Sequence, residues 1–218
     1  MKNFFQKYRH IWTLGYIFIY LPWFLYLERT VTNNYHIMHV AVDDFIPFNE
    51  HFIIPYLLWF AYVAAGMAYF FFTDAKDYCK LCIMLFTGMT ISLLICTIFP
   101  NGTDFRPVIN PNKNLCSAIV AFLYSTDTPT NVFPSIHVYN SLCIHIAVCH
   151  SVRLKKYRPV KIFSSLLMIS ICLATVFLKQ HSAFDGLGAA LMAYVMYHFV
   201  YADSFVPDRK EVSEKAIS

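Results

Sequence analysis

The chain has 218 residues, of which 58% are hydrophobic and 18% aromatic, well above the roughly 45–50% apolar share of soluble domains. This excess excludes an ordinary soluble protein, and the formal net charge of +4 gives no indication of nucleic-acid binding. The absence of a polar linker or low-complexity segment predicts one membrane domain over residues 1–202, followed by a polar tail at 203–218.

Six apolar stretches of about 20 residues are long enough to cross about 30 Å of hydrocarbon. They lie at 11–28, 52–72, 81–99, 135–151, 162–178 and 184–202. The first is rich in aromatic residues and lacks a small-residue cleavage site, so we expect it to remain as an anchor. The pattern predicts an all-α, six-helix membrane bundle with both termini on one side.

The basic residues predict the orientation of this bundle, because flanks rich in Lys and Arg stay in the cytoplasm. Thirteen of the 17 basic residues lie on the side of the termini. The other side has only Arg29, Arg106, Lys113 and Lys179. We therefore predict cytoplasmic termini, a cytoplasmic tail, and extracytoplasmic segments at 29–51, 100–134 and 179–183.

Three polar groups lie near the predicted outer ends of the spans, where ionisable side chains are costly unless they are paired or functional. The first is Arg106-Pro107, after the third span. The second is Pro134-Ser135-Ile136-His137, at the start of the fourth. The third, residues 179–185 with the sequence KQHSAFD, opens the sixth. The charge count places all three at one membrane face, although it uses no information from these groups.

The spacing within the groups predicts a phosphate-ester site. His181 and Asp185 are four residues apart, so they share one helix face, and the carboxylate can orient the imidazole as a nucleophile. Ser135 lies at a predicted helix start, where anions bind well, and His137 in the same turn can act as general acid and base. Arg106 offers a planar fork that can clamp phosphate oxygens.

Each of these residues also has a structural interpretation. Asp185 alone can cap a helix, Arg106 alone can contact a lipid headgroup, and Lys179 can extend toward the interface. Capping is favoured over substrate binding for Asp43 and Asp44. The other membrane histidines are interpreted as polar contacts between helices: His145, His150 and His198. The convergence of three groups at one face favours catalysis.

The three groups, in this order on three outer segments, resemble the signatures of the type 2 phosphatidic acid phosphatase superfamily. The forms FPSIHV, at 133–138, and FLKQH, at 177–181, are most similar to its inositol phosphorylceramide synthase-like branch. The resemblance covers residues 45–200 and rests on three ordered motifs.

The resemblance implies that His181 forms a phosphohistidine, that Asp185 orients it, and that His137 acts as acid and base. It implies that Arg106 and Ser135 bind the phosphate, and that no metal or other cofactor is required.

Two positions depart from the family pattern. Phe99 occupies the place of a Lys in the first signature, and Thr175 the place of an Arg in the third. Both changes remove positive charge, and we expect Lys179 to compensate as a further phosphate ligand.

The predicted function is that of a multi-pass membrane lipid phosphatase with an extracytoplasmic site, whose partners are a lipid phosphate and the bilayer. One alternative is transfer of a phospho-headgroup to a lipid alcohol, and another is a non-catalytic scaffold or small transporter. The motifs select neither one lipid nor one oligomeric state.

Overall fold

The computed structural model describes residues 9–202, which form a mostly helical protein. The predicted polar tail at 203–218 and the basic residues Lys2 and Lys7 lie outside the described residues.

Helices account for nearly all regular structure in this range. The first, α1, spans Ile17–Thr30 and continues a 3-10 segment at Arg9–Tyr16. The others are α2 (Ala41–Phe45), α3 (Ile53–Thr73, preceded by a 3-10 turn at Glu50–Phe52), α4 (Ala75–Ile98), α5 (Leu115–Thr126), α6 (Ile136–His150), α7 (Arg158–Phe177) and α8 (Ala183–Tyr197, extended by a π turn at His198–Ala202). Two strands, β1 (His36–Ile37) and β2 (Asn101–Gly102), form a short parallel pair.

Five helical stretches in the described part are long and apolar enough to cross a membrane: His10–Thr30, Glu50–Thr73, Ala75–Ile98, Arg158–Phe177 and Ala183–Tyr201. They coincide with five of the six predicted spans. The protein is therefore an all-α, multi-pass membrane protein.

The remaining predicted span, 135–151, corresponds to α6, which has only 15 residues. At 1.5 Å per residue this helix is about 22 Å long, shorter than about 30 Å of hydrocarbon. Eight of its residues are buried, and it packs against α3, α4, α7 and α8. The sixth crossing stays a prediction, since α6 is the central helix but a short one.

The helices α4 and α6 approach each other closely at the centre of the helix bundle. The ring of Tyr139 lies directly over Gly88, and its hydroxyl donates to the carbonyl of Met84 at 2.6 Å. A Cβ atom at position 88 would lie 2.1 Å from ring carbons of Tyr139. The absence of a side chain at Gly88 is therefore what allows the two helices to approach.

The three predicted outer segments contact one another. The backbone N–H of His36 donates to the carbonyl of Pro100 at 2.8 Å, and the side-chain oxygen of Asn101 accepts from the backbone N–H groups of Val132 and Phe133 at 2.9 and 2.7 Å. In the third segment, the ammonium of Lys179 donates to the carbonyls of Asp43 and Ile46 in the first. The loops that carry the candidate motifs are thus held together by hydrogen bonds.

Candidate functional site

A small cavity of about 50 Å³ lies where the three motifs meet, with room for a group of a few atoms. Its polar lining combines residues of the three motifs with others from α1, α3 and the loop before α6: Glu28, Tyr56, Arg106, Asp127, Thr128, Thr130, Asn131, His137, Gln180 and His181. The cavity is the candidate active site.

His181 and Asp185 lie side by side, although not on one helix face as the spacing predicted, because α8 begins at Ala183 with Ser182 as its N-cap and His181 precedes the helix. His181 is 7% exposed, and its Nδ1 is 3.4 Å from Oδ2 of the fully buried Asp185. This separation exceeds an ordinary hydrogen bond, and Oδ2 instead accepts the backbone N–H of Ser182 at 2.9 Å. Asp185 therefore caps α8 and also places a carboxylate next to the imidazole.

His137 faces His181 across the cavity, with the two ring centroids 5.7 Å apart. Its ring stacks on Tyr56 at 4.6 Å and contacts Trp59 at 4.4 Å. Its Nδ1 is buried and has no hydrogen-bond partner among residues 9–202. The aromatic rings hold the imidazole in place while leaving that nitrogen unoccupied.

Arg106 is fixed by four hydrogen bonds. It donates to the carbonyls of Asp127 (2.7 Å) and Thr128 (3.1 Å), to the carboxylate of Asp127 (3.4 Å), and to Oε1 of Gln180. Its guanidinium also lies 4.8 Å from the ring centroid of Tyr124 in α5. The side chain is thus oriented before any anion binds.

The structure does not bring Ser135 or Lys179 to the cavity wall. Ser135 is fully buried and caps α6, its hydroxyl accepting from the N–H of Val138 at 3.5 Å. Lys179 has a positive φ of 52°, and its ammonium donates to the carbonyls of Asp43 and Ile46 at 2.6 and 2.5 Å. The expected compensation by Lys179 therefore has no geometric support, because its charge is directed toward the loop before α3.

Asp43 has the capping role that the sequence favoured and a second role that it did not reveal. Its Oδ2 accepts from the N–H of Val40 at 3.0 Å and from the hydroxyl of Ser182 at 2.6 Å. Its Oδ1 accepts from the N–H of Ala183 at 2.8 Å. One buried carboxylate thus joins the start of α2 to the start of α8, beside His181.

The two positions that depart from the family pattern also lie away from the cavity. Phe99 is exposed and stacks on His36 at 4.2 Å. The hydroxyl of the buried Thr175 donates to the carbonyl of Cys172 at 2.8 Å. Arg106 is accordingly the one Arg or Lys among the residues that line the cavity.

Several lining residues received no role from the sequence, among them Glu28, Asp127 and Gln180. Glu28 lies at the outer end of the first span, where an ionisable residue is a functional candidate, so a signal was present. Gln180 immediately precedes His181, and its orientation depends on Arg106 from a distant loop.

Burial raises the pKa of Asp127, an effect that Arg106 counteracts and Glu28 reinforces.

No protein-family model matches the chain, and no curated protein and no solved structure matches it. The similarity to the phosphatase superfamily therefore rests on the motif residues themselves.

Proposed function

We propose that the protein cleaves a phosphate ester of a membrane lipid through a phosphohistidine at His181. The observation that carries this proposal is the meeting of His181, His137 and Arg106 in one small cavity. A nucleophile, an acid and base, and an anion ligand are the groups that phosphoryl transfer through a covalent intermediate requires.

The reaction has two balanced steps. In the first, Nε2 of His181 attacks phosphorus, the bond from phosphorus to the lipid oxygen breaks, and His137 gives its proton to the leaving alkoxide. In the second, water attacks phosphorus, its proton passes to His137, and the phosphorus–nitrogen bond breaks to release phosphate. Nδ1 of His181 faces Asp185 at 3.4 Å, and the negative charge of that carboxylate favours the cationic imidazolium intermediate.

A second candidate is transfer of a phospho-headgroup to a lipid alcohol, which replaces water in the second step. The carboxylates of Glu28 and Asp127 at the cavity favour it, because they oppose a dianionic monoester more strongly than a monoanionic diester. The resemblance to the inositol phosphorylceramide synthase-like branch agrees with this alternative.

The proposal includes six crossings, cytoplasmic termini and an extracytoplasmic site. The distribution of Lys and Arg supports this orientation. The hydrogen bonds among the predicted outer segments support a common face for the three motifs.

The test is phosphate release from a panel of lipid phosphates by the purified protein in detergent, without added metal. His181→Ala should abolish release and acid-labile phosphate incorporation, while His51→Ala, which removes an exposed outer histidine, should change neither. Release by His181→Ala at the rate of the unaltered protein would contradict the phosphohistidine. Formation of a new phospholipid only when a lipid alcohol is added would select transfer.

A further inference from the structure

The Asp, Glu, Arg and Lys side chains at the cavity carry more negative charge than positive charge. Arg106 donates to the carboxylate of Asp127 at 3.4 Å, so these two charges largely neutralise each other. Glu28 accepts only from neutral groups among the described residues: the N–H and hydroxyl of Thr128, at 3.3 and 2.6 Å, and the amide of Asn131 at 2.9 Å. One negative charge therefore remains beside the site proposed for a phosphate.

Two residues of the cavity lining also have buried polar atoms that lack partners. Gln180 is 2% exposed, and its Nε2 makes no hydrogen bond among residues 9–202. Oδ1 of Asn131 is buried and likewise unpaired in that range, since the amide nitrogen of Asn131 is directed to Glu28 and Thr130. Buried donors and acceptors without partners are costly, and the described residues supply no partner for either atom.

Thr128 joins the two charged parts of the site. Its carbonyl accepts from Arg106 at 3.1 Å, and its hydroxyl donates to Glu28 at 2.6 Å. The Glu28 carboxylate and the Arg106 guanidinium thus contact the same residue, and both side chains belong to residues that line the cavity. This arrangement suits a ligand whose phosphate and positive charge are a short distance apart.

We propose that Glu28 and Asn131 bind the primary ammonium group of a zwitterionic phospholipid headgroup whose phosphate lies at Arg106 and His181. This inference rests on the proposed function and names its substrate class. A primary ammonium has three donors, and three residues that line the cavity carry acceptors: the Glu28 carboxylate, Oδ1 of Asn131 and the hydroxyl of Thr130. A trimethylammonium group is larger and donates no hydrogen bond, so it fits this wall poorly.

The chemistry of such a substrate follows the same two steps. His181 attacks the phosphodiester, the bond from phosphorus to the lipid alcohol oxygen breaks, and His137 protonates the departing alcohol. The phospho-headgroup then remains on His181, with its ammonium at Glu28. Water or an alcohol then attacks phosphorus, a new phosphorus–oxygen bond forms, the phosphorus–nitrogen bond to His181 breaks, and the proton of the attacking hydroxyl returns to His137.

The test compares the affinities of the purified protein for short-chain phosphatidylethanolamine and short-chain phosphatidylethanol, which differ only in the ammonium group. The unaltered protein should bind the amine at least about tenfold more tightly, the contribution of one charge-assisted hydrogen bond. Glu28→Gln should reduce this ratio to near one. Asp44→Asn, which removes an exposed outer carboxylate, should preserve it.

If the unaltered protein binds the two lipids with equal affinity, the inference is wrong. It is also wrong if Glu28→Gln keeps the preference for the amine. Binding of phosphatidylcholine or phosphatidylinositol as tightly as the primary amine would also overturn it, and these comparisons need no variant. The proposed function fails separately, if His181 never carries phosphate. Cleavage of lipid phosphates without an amine preference would refute the headgroup site alone.

Discussion

At the scale of single residues, the site is governed by how few positive charges face the cavity. Arg106 is the sole lining cation, and Asp127 occupies part of its hydrogen-bonding capacity. The affinity of the site for an anion should therefore depend on the charge of Asp127.

Asp127→Asn should increase affinity for sulfate roughly threefold to tenfold at neutral pH, because it removes a like charge near the anion. The bond from Arg106 to the carbonyl of residue 127 is unaffected by this change. Sulfate keeps a constant charge across the pH range of interest, so calorimetric titration reports the protein alone. Unchanged or weaker binding would show that the anion lies elsewhere.

The affinity for sulfate should increase as the pH falls. Burial raises the pKa of Asp127 above that of a free aspartic acid, so the folded protein binds this proton more readily than the unfolded chain does. Lowering the pH through the raised pKa therefore favours folding at this residue, and it also removes the charge that repels an anion. Sulfate affinity of the unaltered protein should rise over that range, whereas the affinity of Asp127→Asn should change less.

Asp43→Asn should lower the free energy of unfolding by about 1–3 kcal/mol, because an amide can no longer accept from all three groups that Asp43 now joins. Thermal denaturation in detergent measures this effect. Asp44→Asn provides the matched control, since the carboxylate of Asp44 is exposed and, among residues 9–202, pairs with His39 at the surface. Equal stability of the two variants would contradict the joint capping of α2 and α8.

At the scale of elements, the contact between α4 and α6 should be the least tolerant of added volume. Gly88→Ala raises helix propensity by about 1 kcal/mol, but its Cβ would lie 2.1 Å from the buried ring of Tyr139. Overpacking of this kind costs about 1–3 kcal/mol or more, so the variant should melt at a lower temperature. Gly15→Ala, where the added carbon meets nothing within 4 Å, should be neutral or stabilising.

Features that depend on local sequence could be predicted, whereas features that depend on tertiary contacts could not. The proximity of His181 and Asp185 was predictable because residues four apart stay close at a helix start, where Asp185 accepts from the N–H of Ser182, and five spans followed from local hydropathy. Glu28 lies opposite a loop one hundred residues later, and this proximity is a tertiary property. The direction of Lys179 depends on a left-handed backbone conformation, which a motif of residue types does not specify.

At the scale of the whole molecule, the number of crossings depends on α6. A helix of 15 residues is short for lipid, but other helices surround it, and protein-enclosed backbone need not match the hydrocarbon thickness. Buried residues also continue beyond both ends, including Val132 and Ser135 on one side and Ser151 and Leu154 on the other. We therefore expect α6 to complete a sixth crossing together with these flanks.

Six crossings place the two termini on the same side, and the connection at 151–157 should lie there too. That connection contains Arg153, Lys155 and Lys156, which the positive-inside tendency keeps in the cytoplasm. Reporter fusions at each terminus, together with labelling of a cysteine introduced as Lys156→Cys in a background with the native cysteines replaced, would determine the sidedness. Termini on opposite sides, or a residue 156 accessible from the motif face, would mean that α6 turns back within the bundle. Labelling from the terminal side would instead place His137 and His181 at the face opposite those basic residues.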